Sequence, residues 1–195
     1  MVLTSRGAAT RRRIVTGAAA LFRERGVAQV SLDDIRAATA TSKSQLFHYF
    51  PGGRSELLLA VAEHEAEQVL ADQQPLLGDL TDWRKWQAWR ERIIKIYDEQ
   101  RAGCPLSALT AHLSQADPAA AQKIVIRMNE RWQAHLATGV RALSDSGEID
   151  PATDPDQTAA TIMTAIVGGA TLLQATDSMT YLELALTQAL NSLRR

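Results

Sequence analysis

Cysteine is almost missing from this 195-residue chain. Cys104 stands alone, so no disulfide can form within the chain, and a reducing compartment is expected. The N-terminus is charged and has no apolar signal core. The longest uncharged run, Gln157 to Thr176, approaches the length of a membrane span. Its internal threonines, glutamines and Gly-Gly pair make it too polar for one, so a cytoplasmic protein without membrane contact is expected. Strand-like alternation, internal repeats and low-complexity segments are all lacking. So are a phosphate loop, a dinucleotide fingerprint and zinc-ligand spacing, which leaves no motif for an enzyme, a metal or a cofactor.

What is present is a folded composition, 46% hydrophobic and 22% charged. The net charge of -1 hides a strong division. In residues 1–50, Arg6, Arg11, Arg12, Arg13, Arg23, Arg25, Arg36 and Lys43 face only Glu24, Asp33 and Asp34, a balance of +5. Of the 21 basic and 22 acidic residues, 13 and 19 remain for the rest, a balance of -6. A basic head on an acidic body suits contact with nucleic acid through the head alone.

The pattern throughout is helical. The first helix is predicted over Thr10–Arg25, with Ile14, Ala18, Leu21 and Phe22 on one face and Gly26 as its stop. A second begins at Ser31, whose side chain can accept from the amide of Asp34, with Val30 and Ile35 as the flanking apolar staple. Thr39, Ala40 and Thr41 form a turn. Ser42 then caps a third helix with Gln45 in the capping-box position, and Leu46 and Phe50 anchor it. Two short helices joined by a tight turn, the second polar on its outer face, are what a DNA-reading helix-turn-helix requires. After Pro51-Gly52-Gly53 a helix is predicted from Arg54 to about Asp72. Further helices are predicted over 82–101, 105–115, 118–144, 154–176 and 178–193. The fold class is all-α.

These residues resemble the tetracycline-repressor (TetR) family of bacterial regulators. The resemblance runs through Ile14–Gly26, Ser31-Leu32-Asp33-Asp34-Ile35, Ser42-Lys43-Ser44-Gln45-Leu46-Phe47-His48-Tyr49-Phe50 and Gly53-Arg54-Ser55-Glu56-Leu57. It implies a DNA-binding helix-turn-helix domain over residues 1–53 and a helical ligand-binding and dimerising domain over 54–195. Gly103-Cys104-Pro105-Leu106 resembles a segment of the drug- and flavonoid-responsive, LmrA-like subgroup. Three positions depart from the family pattern. Ala40 stands where glycine is usual, Phe47 where tyrosine is favoured, and Arg54 where lysine is common.

Resemblance and helix geometry together place Ser31, Thr41, Ser42, Lys43, Ser44, Gln45, Phe47, His48, Tyr49 and Arg54 at DNA. Gln45 suits adenine, and Ser44 suits several base edges. Lys43, Tyr49 and Arg54 suit phosphates, Phe47 a thymine methyl or sugar, and Ser31 a phosphate. Competing uses exist: Ser31 and Ser42 are caps in their own right, and Gln45 has the capping box as an alternative to a base.

In the body, Trp86, Trp89, Ile93, Tyr97, Cys104, His112, Met128, Trp132 and Met163 are candidates to line a site for a small apolar or aromatic effector. The same aromatic residues also suit a plain core. The last two helices are apolar on more than one face. Ile162, Ile166, Gly169, Leu173, Leu182, Leu186 and Leu190 are the candidates for a four-helix homodimer contact, with packing inside one chain as the alternative. The group Glu63, His64, Glu65 and Glu67 lacks a matching set on another helix and reads as a solvated face. The expected protein is thus a ligand-responsive regulator, a repressor by family default, binding a palindromic operator as a dimer and associated with the nucleoid when bound. A helical binding protein or enzyme without operator recognition, and a DNA-binding protein without an effector, are the alternatives.

Overall fold

The first helix begins two turns before its apolar stripe does. A computed structural model, which describes residues 4–101 and 103–194, places α1 at Ser5–Arg25. Thr4 caps it by accepting from the amide of Gly7, 3.2 Å away. The buried face (Ile14, Val15, Ala18, Ala19, Leu21 and Phe22) starts only at Ile14. The early turns are therefore held by a cap and not by burial, and apolar periodicity alone does not reveal them. Gly26, at φ 82°, ends the helix.

The remaining helices are α2 (Leu32–Ala38), α3 (Lys43–Tyr49), α4 (Gly53–Ala71), α5 (Trp83–Glu99), α6 (Pro105–Leu113), α7 (Pro118–Asp145), α8 (Pro155–Thr176) and α9 (Thr180–Asn191). No strand occurs among the described residues, so the fold is all-α as expected. Two 3-10 turns, Val27–Gln29 and Leu76–Gly78, lie in connections between the helices. By packing, the chain forms two units. The first joins the chain through Gln68 with Cys104–Ile126, and the second joins Val69–Gly103 with the chain from Arg127 onward.

In the first unit, α1 crosses the helix-turn-helix at Gly17. A Cβ there would lie 2.4 Å from Cγ2 of Thr39, the residue that follows α2. Thr39 is buried and cannot swing away, because its hydroxyl donates to the Ile35 carbonyl at 2.6 Å. That leaves Thr41 to direct its own proton to Thr39, whose hydroxyl and carbonyl oxygens lie 2.9 and 3.1 Å from it. Ala40 turns the chain between them in the left-handed conformation, at φ 46°. The turn thus adopts the glycine geometry without the glycine. Glu65 departs from the solvated face read for its helix. It is 4% exposed and accepts a charge-assisted bond from Arg23 of α1 at 2.6 Å.

The second unit is built around an apolar cluster that includes Trp86, Trp89, Ile93, Trp132, Leu136, Ile162, Ile166, Leu182, Leu186 and Leu190. Its one buried polar side chain among the described residues, Gln73, is held at both ends of its amide. Its amide oxygen accepts from the Trp89 indole at 3.0 Å and its amide nitrogen donates to the Val69 carbonyl at 2.8 Å. Helix α8 has the length and hydropathy of a membrane span, but its apolar residues Ile162, Met163, Ile166 and Leu173 are buried within this unit. It packs closely on α9. A Cβ on Gly169 would sit 2.5 Å from the Leu182 Cα, so only glycine permits that backbone approach.

Two substitutions test the crossing and the turn. Gly17→Ala should lower the midpoint of chemical denaturation, with overpacking of about 1–3 kcal/mol outweighing roughly 1 kcal/mol of gained helix propensity. An unchanged or raised midpoint would show that Thr39 yields. Ala40→Gly should raise stability by about 0.5–1 kcal/mol, since a left-handed alanine costs more than the flexibility glycine adds to the unfolded chain. A loss of stability there would remove the strain argument.

Candidate nucleic-acid interface

Helices α2 and α3 have seven residues each, too short to persist without caps and anchors. Both carry a complete capping box. In α2, Ser31 Oγ accepts from the Asp34 amide at 3.1 Å, and the Asp34 carboxylate accepts from the Ser31 amide at 2.8 Å. The hydroxyl of Ser31 also donates to that carboxylate, 2.5 Å away. These hydrogen bonds from Ser31, chiefly the side-chain one, hold the Asp34 carboxyl below its ordinary pKa. In α3, Ser42 Oγ accepts from the Gln45 amide and Gln45 Oε1 accepts from the Ser42 amide, each at 3.1 Å.

Two fully buried anchors, Leu46 and Phe50, hold α3 from beneath. Lys43, Ser44, Gln45, Phe47 and His48 are exposed, and Tyr49 is half-buried. Phe47 is 40% exposed, a large apolar ring presented to solvent on a helix otherwise polar outside. Of the residues expected at DNA, Ser31 and Ser42 are exposed caps. Thr41 is 5% exposed, its hydroxyl tied to Thr39. Arg54 is half-buried, its guanidinium directed to the Val27 and Val30 carbonyls. The sequence alone did not reveal either inward turn, since both residues lie at motif positions and their partners are the Thr39 hydroxyl and backbone carbonyls. Arg12 and Arg13 are exposed on α1, whereas Arg11 lies over the Phe50 ring at 5.2 Å.

The candidate effector residues separate. Trp86, Trp89, Ile93, Trp132 and Met163 meet in the buried cluster of the second unit, with Tyr97 packed against it. Met128 is half-buried on α7. Cys104, at the N-terminus of α6, and His112, in its last turn, belong to the first unit. The residues proposed for a dimer contact are all buried within one chain: Ile162, Ile166, Leu173, Leu182, Leu186 and Leu190 at 2% exposure or less, with Gly169 against Leu182. They line the seam of α8 on α9. The apolar side chains these helices leave outside are Val167, Leu172, Tyr181 and Leu184, on a second stripe. Sequence periodicity marks both stripes but not which one closes within the chain.

Comparison with known proteins agrees with this architecture. Residues 14–61 match the family described as bacterial regulatory proteins, tetR family, and residues 83–189 match the tetracyclin repressor-like C-terminal domain. An uncharacterised HTH-type transcriptional regulator of Mycobacterium tuberculosis is 32% identical over 106 residues, 51% of each sequence. One of Lactococcus lactis is 29% identical over 116 residues, 55% of this chain and 57% of that protein. The chain spans about half the length of the curated relatives it matches. A TetR transcriptional regulator from Chloroflexus aurantiacus superposes with a TM-score of 0.75, 28% identity and 96% coverage of each chain. One from Mesorhizobium loti gives 0.79, 19% and 97% of each. A SmeT–triclosan complex gives 0.69 at 22% identity, covering 96% of this chain and 92% of that one. With its helix-turn-helix and more than half of its length matched, this chain belongs to the tetR family of bacterial regulatory proteins.

Proposed function

We propose that this protein is a ligand-responsive transcriptional repressor that binds a palindromic operator as a homodimer. The observation that carries the reading is α3: a helix capped and anchored from below, offering Lys43, Ser44, Phe47 and His48 outward from a basic head. Lys43 serves a phosphate, Ser44 and His48 serve base edges, and Phe47 meets a thymine methyl or sugar. Gln45 enters this set only through its amide nitrogen while its oxygen holds the cap. The nucleoid is where such a dimer resides when bound.

Dimerisation falls to the outer stripe of α8 and α9. Leu172, Tyr181 and Leu184 border a shallow apolar depression of about 430 Å³, floored by Gly168 and Ala185. Exposed apolar side chains gathered on two adjacent helices suit a self-complementary contact. The effector reading rests on the tryptophan cluster. The indole N–H groups of Trp86 and Trp132 are buried without an acceptor, and an indole only donates. An uncharged aromatic ligand carrying an acceptor oxygen would suit those two donors. The similarly folded SmeT was solved with triclosan, in keeping with such chemistry.

Selection of duplexes from a random pool, followed by anisotropy titrations across a salt series, tests the DNA reading. Lys43→Ala should weaken binding to all duplexes and lower the slope of log K against log salt by about one. Ser44→Ala should cost about 1–3 kcal/mol at one base position only. Wild-type binding without any sequence preference would sink the operator reading. For the dimer, Leu184→Glu should give a folded monomer by light scattering. A dimer that survives both this change and Tyr181→Glu would place the contact elsewhere.

A further inference from the structure

Arg54 stands at the motif position that suggests a phosphate contact, yet its guanidinium is turned into the head. One terminal nitrogen donates to the Val30 carbonyl and the other donates to the Val27 carbonyl, the latter at 2.5 Å. The group also lies 5.9 Å from the centre of the Phe22 ring. Val27 opens the 3-10 turn that follows α1, and Val30 immediately precedes Ser31, the cap of α2. The Val30 carbonyl precedes the helix and has no place in the α2 ladder, where the Ser31 carbonyl takes the first bond from Ile35. Arg54 therefore ties the first turn of α4 to the segment that sets where α2 begins. Helix α6 packs on the same 3-10 turn, within the same unit.

We propose that Arg54 is a positioning residue for the reading helix, fixing the α2–α3 pair on α4 through the Val27 and Val30 carbonyls, and not a phosphate ligand. The proposal rests on the reading that α3 contacts DNA. Its chemistry is specific to arginine. Two carbonyls three residues apart require two divergent donors in a rigid plane, which a guanidinium supplies. A lysine ammonium keeps the charge but brings a single flexible point of contact. Turning the fork outward to a phosphate would leave two partly buried carbonyls without their donor.

The charge-conserving variant separates the two roles. Arg54→Lys and Arg54→Gln should each lose on the order of tenfold in affinity for a duplex selected with the wild-type protein, as much as one lost base contact. The salt slope should stay at the wild-type value in both variants. Amide hydrogen exchange over residues 27–35, measured without DNA, should accelerate in both. The proposal is overturned if Arg54→Lys binds like wild type while Arg54→Gln lowers the salt slope by about one, the signature of a lost phosphate contact. It is overturned equally if the thermal midpoint falls but the folded protein keeps its affinity, a role in stability alone. Unaltered exchange with normal wild-type binding overturns this proposal only. Failure of the wild-type protein to bind any duplex overturns the DNA reading and this proposal with it, and exchange measured without DNA still reports whether Arg54 holds the turn.

Discussion

A helix of seven residues has no stability of its own in water, and α3, the proposed reading helix, is one. Its geometry has to be supplied from outside: by Leu46 and Phe50 beneath it, by the Ser42–Gln45 box at its start, and by the Thr39–Ala40–Thr41 turn that joins it to α2. The turn in turn depends on α1, because Thr39 fits only where Gly17 leaves room. The head is thus a chain of dependencies that ends in a missing methyl group. Arg23 adds a further link, joining α1 to the buried carboxylate of Glu65 on α4. Removing the guanidinium there would leave a carboxylate sealed from water, the costly half of any buried ion pair.

Much of this was legible in the sequence. The capping serines, the Leu46 and Phe50 anchors and the order of helices follow from local signals, and each is a short-range relation that spacing can report. What escaped is long-range or backbone-mediated. The first turns of α1 rest on a threonine cap with no apolar stripe above it. The burial of Thr41, Glu65 and Arg54 depends on partners that no periodicity announces: a neighbouring hydroxyl, an arginine 42 residues away and two carbonyls. The family resemblance helped with the identity of the motif but not with the direction of the Arg54 guanidinium, since a shared position does not fix where a long side chain points.

The C-terminal helices show the same limit in another form. Both α8 and α9 are apolar on two stripes, and either stripe alone would suit a helix packed on one neighbour. The bulkier aliphatic residues close the seam inside the chain, where glycine at 169 lets the backbones meet. The second stripe, with Val167, Leu172, Tyr181 and Leu184, remains outside. Composition says that these helices carry more apolar surface than one seam hides; only the packing says which residues stay outside.

The capping box of α3 has a consequence for how this regulator can change. Position 45 is the place where a glutamine would ordinarily be free to discriminate adenine, but its oxygen also closes the first turn of the helix. Any replacement that frees this side chain for a different base removes a cap, and any replacement that keeps the cap narrows the choice of reader. If α3 reads DNA as proposed, operator preference and fold stability are inherited together at this residue. On the same reading, new binding sites are reached more easily through Ser44, Phe47 and His48, whose side chains take no part in the capping box.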